Sequence, residues 1–178
     1  MDSPIDIARA NVPDGWEVVA VDPPSYDPAE AERGAGLCVA NTCGNYGTNW
    51  GCPPGWTRRI DSLLEEYDSA ILLERTFGCH VSDTASIEAA NEELHRSVRA
   101  VVSALRASGR RSMGMAGGCC GYCGVCSYPE PCRFPEMLVP SISAVGFDLG
   151  NYLGRLGRTV EFREDRVTLY GLVLYRSL

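Results

Sequence analysis

The chain has 178 residues, 45% of them hydrophobic, with 23 acidic side chains against 16 basic ones and a formal charge of −7. Every cation is Arg and only two His are present, which excludes a Walker-type phosphate loop, a pyridoxal Schiff base and an amine nucleophile and argues against His-rich metal sites. The acidic balance speaks against a nucleic-acid partner, which requires an electropositive face to release counterions from phosphate, and the length fits a single domain over residues 1–178.

Taken in chain order, Trp16 to Val21 is a short β-prone run ended by Asp22-Pro23-Pro24. Asp27-Pro28 ahead of Ala-Glu-Ala-Glu reads as the cap and first turn of a short helix. From Gly34 to Trp56 the chain is Gly, Asn, Pro and Cys without a period, which predicts a loop. Thr57 to Tyr67 is helical, with Ile60, Leu63 and Leu64 on one face, and Ser69 to Phe77 reads as a largely buried strand. Ser82 or Asp83 can cap a helix reaching about Ala107, because Ile87, Leu94, Val98, Val101 and Leu105 recur at helical spacing and Gly109 follows.

Ser112 to Ala116 is a short, small-sided strand. Strand, long helix and strand make a crossover unit whose two strands run parallel. The last third is expected to hold short helices at Pro140–Val145 and Asp148–Leu156, then a terminal hairpin of 158–163 with 166–175. The fold class is thus α/β (or α+β): a mixed sheet of about five strands with a βαβ crossover, flanking helices and two Cys-rich loops.

Nine Cys dominate the chemistry. The polar N-terminus does not look like a signal peptide and no apolar run approaches the roughly 18 residues of a membrane span, so the expected compartment is the cytoplasm, without membrane contact. Thiols stay reduced there, and an odd count fits a disulfide framework poorly; clustered Cys then point to metal or redox chemistry.

Cys120, Cys123 and Cys126 form Cys-x2-Cys-x2-Cys, with five residues between the third and Cys132. Three thiolates at this spacing can wrap one corner of a cubane, and Gly121 and Gly124 allow the tight turns this demands. The run is similar to that of bacterial ferredoxins, with a longer gap before the fourth Cys. A tetrahedral zinc knuckle needs one Cys-x2-Cys plus a distant second pair, so a third Cys at the same spacing favours an iron–sulfur cluster, 4Fe–4S first, with zinc as the alternative. Cys119 is either a small buried thiol at the strand end or an alternative ligand.

The first segment reads Cys38-x4-Cys43-x8-Cys52-Pro53-Pro54. Pro after Cys fixes the departing chain and shields the sulfur, so Cys38, Cys43 and Cys52 are candidate ligands of a second metal site. Tyr46, Trp50 and Trp56 either lid a cluster or fill the floor of the loop. Cys79-His80 is a buried Cys beside a capping or surface His, or else completes the first segment's ligand set. His95 is assigned to the surface. Arg133 either offsets cluster charge or pairs with a carboxylate.

The strings Asn45-Tyr46-Gly47-x-x-Trp50-x-Cys52-Pro53-Pro54 and Cys120-x2-Cys123-x2-Cys126-x5-Cys132-Arg133-Phe134-Pro135 resemble the bacterial and archaeal family of predicted metal-binding proteins of unknown function. Pro140-Ser141, Gly146-Phe147-Asp148 and Thr168-Leu169-Tyr170-Gly171 match it too, so the resemblance covers roughly residues 36–175. It implies a cytosolic metal or iron–sulfur protein and carries over no activity. The chain departs from the family pattern at Ala40, three residues before Cys43, where the pattern has a Cys; Cys38 is the nearest substitute. The gap before Cys132 is also shorter than in the pattern.

Three functions fit these residues. One is an electron-transfer or accessory iron–sulfur protein serving a redox partner protein. Another is an enzyme whose cluster has three Cys ligands and an open iron for hydration or sulfur transfer. The third is a zinc-stabilised scaffold. The full quartet at 120–132 favours the first.

Overall fold

The computed structural model describes residues 2–177. Its centre is a four-stranded sheet of β1 (Glu17–Val21), β2 (Ser69–Phe77), β3 (Ser112–Ala116) and β4 (Val167–Tyr175), in the spatial order β1-β2-β4-β3. Every neighbouring pair is antiparallel. The fold class is therefore mixed α and β as expected, but among the described residues the sheet has one strand fewer and no two of its strands pair in parallel.

The reason lies in β4. Leu172-Val173-Leu174 is apolar on successive residues and buried on both faces, the pattern of a central strand rather than the second arm of an exposed hairpin. It takes the place between β2 and β3. These two strands, joined by the long helix, still point the same way, since each opposes β4, but they do not touch. With both edges of β4 occupied over 171–175, the 158–163 segment finds an edge only at its end. The expected hairpin reduces to a single bridge, Phe162 opposite Val167, around an Arg163–Arg166 turn.

One face of the sheet carries α4 (Thr84–Ala107), whose Leu94, Val98, Val101, Val102 and Leu105 pack with Ile71, Leu73 and Val173. Asp83 caps it, its carboxylate accepting from Ser86 N–H at 3.1 Å. The short α1 (Pro4–Ala10), which the sequence reading passes over, lies on the same face through Ala8. Its signal was present: Ser3 caps it and Pro4 occupies the first turn. The opposite face holds α3 (Ile60–Leu64), α5 (Ile142–Val145) and α6 (Leu149–Arg155), which bury Ile60, Leu63, Ile142, Val145 and Leu153 against Leu72, Met115 and Leu172.

The remaining helix, α2 (Pro28–Ala40), is longer than anticipated. The Gly-containing stretch expected to be loop continues the helix as far as Ala40, and Cys38 sits on its last turn. Gly34 is there for size: a Cβ on it would lie 3.3 Å from the Ser143 carbonyl oxygen of α5, so the helices approach closely. The buried Glu30 carboxylate ties α2 to the start of α6, accepting from Asp148 N–H at 3.1 Å and from Asn151 Nδ2 at 2.8 Å. Asn41 then ends α2 in the left-handed region, with φ 53°.

Candidate metal centre

The 117–139 segment leaves the C-terminal end of β3, and the 41–56 segment leaves the C-terminal end of α2. The two loops are fastened to each other. Ser141 N–H donates to the Gly51 carbonyl at 2.9 Å while Ala116 N–H donates to Pro140 at 3.2 Å, so residues 140–141 bridge the first loop to the end of β3. Trp50 Nε1–H donates to the Glu130 carbonyl at 2.8 Å, and its ring meets Tyr128 edge-on with centroids 5.2 Å apart. Trp50 is thus a clamp between the two Cys segments rather than a floor of its own loop.

All nine Cys are free thiols. Five of them, Cys119, Cys120, Cys123, Cys126 and Cys132, line one cavity of about 200 Å³, with Trp50, Asn49 and Phe134. Gly121 and Gly124 within it have φ of 63° and 69°, the left-handed turns that the wrapping of a Cys-x2-Cys-x2-Cys run requires. Cys38, Cys43 and Cys52 line an adjoining cavity of about 280 Å³, with Tyr46, Pro53 and Gly118. Asn45 belongs to both walls. Among the described residues, no three His, Cys, Asp or Glu side chains converge on one point as a bare metal ion requires; the thiols are spread around the walls of these two spaces.

Electrostatics differ between the thiols. Cys52 is buried, and loss of solvent pushes its pKa up to about 11, against a smaller lowering by its hydrogen bond with Asn49. Cys119, Cys43 and Cys38 all stand within electrostatic reach of it and add to the rise. Burial also raises Cys38, helped by Cys43, and raises Cys119, helped by Cys120 and Cys126. A thiolate is the metal-binding form, so a metal bound here must displace these protons, and its charge must offset the burial that disfavours the thiolates.

The cation already present was not foreseen. Arg99, on α4 and only 8% exposed, donates through Nε to the Met137 carbonyl at 2.9 Å. Its other arm reaches the Cys120 carbonyl and lies 3.5 Å from Cys120 Sγ, and its guanidinium stands 4.9 Å from the Tyr122 ring centroid. Arg133, the sequence candidate for this role, instead donates to the Val125 carbonyl at 2.6 Å and so staples the second loop to itself. His95 is not on the surface: it is 4% exposed, and Nε2 hydrogen-bonds the Gly117 carbonyl at 2.8 Å. Asn91, His95 and Arg99 recur every four residues and line a cleft on α4 together with Cys119 and Cys120. That polar stripe beside the apolar one was the available signal.

Cys79 and His80 stand apart. Cys79 lines neither thiol cavity, and His80 Nδ1 hydrogen-bonds the Ser82 hydroxyl at 2.7 Å in the turn before α4.

A family model described as "Predicted metal-binding protein (DUF2284)" matches residues 30–175. No curated protein and no solved structure matches the chain. The matched residues contain both thiol-lined cavities and the elements that hold them, α2, β2, α4, β3 and β4.

Proposed function

Because the chain belongs to this family of predicted metal-binding proteins, we propose that it is an iron–sulfur protein that passes single electrons to a redox partner protein. In this reading Cys120, Cys123, Cys126 and Cys132 hold a 4Fe–4S cluster, and Cys38, Cys43 and Cys52 serve a second metal site. The single observation that carries it is the cavity at the end of β3, which the quartet's thiols line together with Cys119, the chain turning between Cys120, Cys123 and Cys126 at Gly121 and Gly124.

The residues fit such a group in three respects. The donors are all thiols, the soft ligands that iron–sulfur clusters take. They surround a space rather than a point, as a polynuclear group demands. Arg99 places a fixed positive charge and carbonyl-directed hydrogen bonds beside Cys120, which offsets the negative charge of a thiolate-ligated cluster and holds the loop backbone in place. When bound, the cluster supplies one-electron chemistry. The chain supplies the rest: Trp50 closes the loops over the cavity, and Tyr122, Val125 and Phe134 give the second loop an exposed apolar rim for a partner to cover, Val125 being 81% exposed.

No helix among the described residues is long and apolar enough to cross a membrane. Reduced thiols suit a cytoplasmic protein, and the net negative charge leaves nucleic acid an unfavoured partner.

The test is anaerobic purification followed by iron, zinc and acid-labile sulfide analysis. A brown protein whose broad visible absorption bleaches on reduction is expected, since thiolate-ligated iron–sulfide absorbs there and zinc does not. A colourless protein with stoichiometric zinc and no sulfide overturns the reading and leaves the zinc scaffold in its place.

A further inference from the structure

We propose that Cys119 is the fourth ligand of the first segment's site, so that Cys38, Cys43, Cys52 and Cys119 hold a second iron–sulfur cluster and the adjacent residues Cys119 and Cys120 serve two different clusters. This rests on the iron–sulfur reading above and adds to it the composition, saturation and coupling of the second site.

Position comes first. The cavity lined by Cys38, Cys43 and Cys52 has Gly118 in its wall, the residue directly before Cys119. Cys52, the one buried thiol, lies within electrostatic reach of Cys119, Cys43 and Cys38. Cys119 in turn lies within reach of Cys120 and Cys126. Cys119 itself lines the 120–132 cavity, so residues 118 and 119 form the partition between the two cavities, with Gly118 on the first segment's side.

The allocation of thiols points the same way. The 120–132 spacing already supplies four ligands, so Cys119 is surplus there, and adjacent Cys side chains rarely serve one metal together. The first segment supplies three and lacks one. Cys79, two residues beyond the end of β2, lines neither cavity. Nine thiols thus divide into four, four and Cys79.

Backbone turns make the division possible. Gly118 and Gly121, on either side of the Cys pair, have φ of 77° and 63°, so the chain reverses before and after the pair and presents it at the junction of the two loops. Gly51 brings the first loop against that junction: a Cβ on it would lie 3.1 Å from Cys120 Cβ and 3.1 Å from Cys120 N.

Two saturated clusters joined through one peptide unit form a relay. Residues 119 and 120 would hold the two groups side by side, and the groups would supply one-electron transfer from a one-electron donor protein to a one-electron acceptor; no bond is made or broken in the chain. Neither site then has an iron open to substrate, which favours the electron carrier over the hydration or sulfur-transfer enzyme.

The experiment is iron and sulfide counting on anaerobically purified full-length protein, with electron paramagnetic resonance of the reduced form. Wild type is expected to hold about eight iron and about eight sulfide per chain, with a spectrum broadened by coupling between neighbouring clusters. Cys43→Ser and Cys119→Ser are each expected to lose about half of both and to leave a simple single-cluster spectrum; Cys79→Ser keeps the wild-type content. Cys43 is exposed, so its substitution does not disturb packing. Should Cys119→Ser fail to fold, alkylation of loaded wild type followed by mass spectrometry decides the matter: Cys119 is protected there and Cys79 reacts. Unchanged iron in folded Cys119→Ser, or alkylation of Cys119 in the loaded protein, overturns the inference while leaving the 120–132 cluster intact. Wild type without iron and sulfide overturns the parent reading instead.

Discussion

Gly51 presses its bare α-carbon against Cys120, so closely that a methyl group placed there would stand 3.1 Å from Cys120 Cβ, with the Val139 carbonyl oxygen at the same distance. The contact joins the two Cys loops at the point where β3 ends. Two of the three nearest atoms are backbone, which cannot swing aside as a flexible side chain would.

Gly51→Ala should therefore force the loops apart. The expected cost is about 1–3 kcal/mol of stability, the usual range for over-packing, with a loss of bound metal at both cavities. Urea unfolding and metal analysis of the same preparation check it. A variant with wild-type stability and wild-type metal content would show that the loops are not held by this contact.

Arg99 makes a second expectation. Arg99→Met removes donors from the Met137 and Cys120 carbonyls and should cost about 1–3 kcal/mol for the buried groups left unpaired. It also removes a positive charge beside Cys120 Sγ. Loss of a neighbouring cation disfavours the reduced, more negative cluster, so the reduction potential should fall. Arg99→Lys keeps the charge without the planar fork and should retain more of the potential than of the stability. Redox titration and denaturation of the pair separate the two effects.

His95 predicts a pH dependence. Burial holds its pKa below the ordinary 6.5, with Arg99 adding to the lowering, against the hydrogen bond to Gly117. Glu88, Glu92 and Arg96 line the same cleft. The neutral ring is the folded form, and the unfolded chain takes up the proton first. The His95 contribution is then complete above about pH 6.5 and is lost as pH falls through the lower folded value. His95→Gln can still donate to the Gly117 carbonyl and should flatten stability between about pH 7 and pH 5 relative to wild type. An identical pH profile in the two proteins would show that another group governs acid sensitivity.

Within the second loop, Cys123→Ser and Cys126→Ser should each lose the cluster there and much of the fold's stability, because binding and ordering of a metal loop are coupled. Cys79→Ser, outside both cavities, should leave visible absorption and iron content as in wild type. Loss of colour in Cys79→Ser alone would reassign the ligand sets.

How far the sequence reaches depends on the range of the interaction. Helix α4 and strands β2 and β3 were legible because hydrophobic period and capping are properties of neighbouring residues: Leu94, Val98, Val101 and Leu105 share a face whatever else the chain does. The Cys-x2-Cys-x2-Cys spacing is local in the same way, so the sequence by itself determined which thiols of the second loop can share a wall and where Gly must turn the chain.

Only the tertiary structure decided the rest. That β4 enters between β2 and β3 follows from competition among strands for the central place, which no single segment encodes. Gly34 looked like a loop residue because its role, room for α5, belongs to a helix more than a hundred residues away in the chain (143 − 34 = 109). His95 looked like a surface residue, and Arg99 had no role to assign, until α4 was laid beside the 117–124 turn. The meeting of Gly51 with Cys120 is of the same kind, since α3, β2, α4 and β3 all intervene between them in the chain. A ligand set drawn from two loops is fixed by the packing of the elements that carry them, and packing acts between residues that no spacing rule connects.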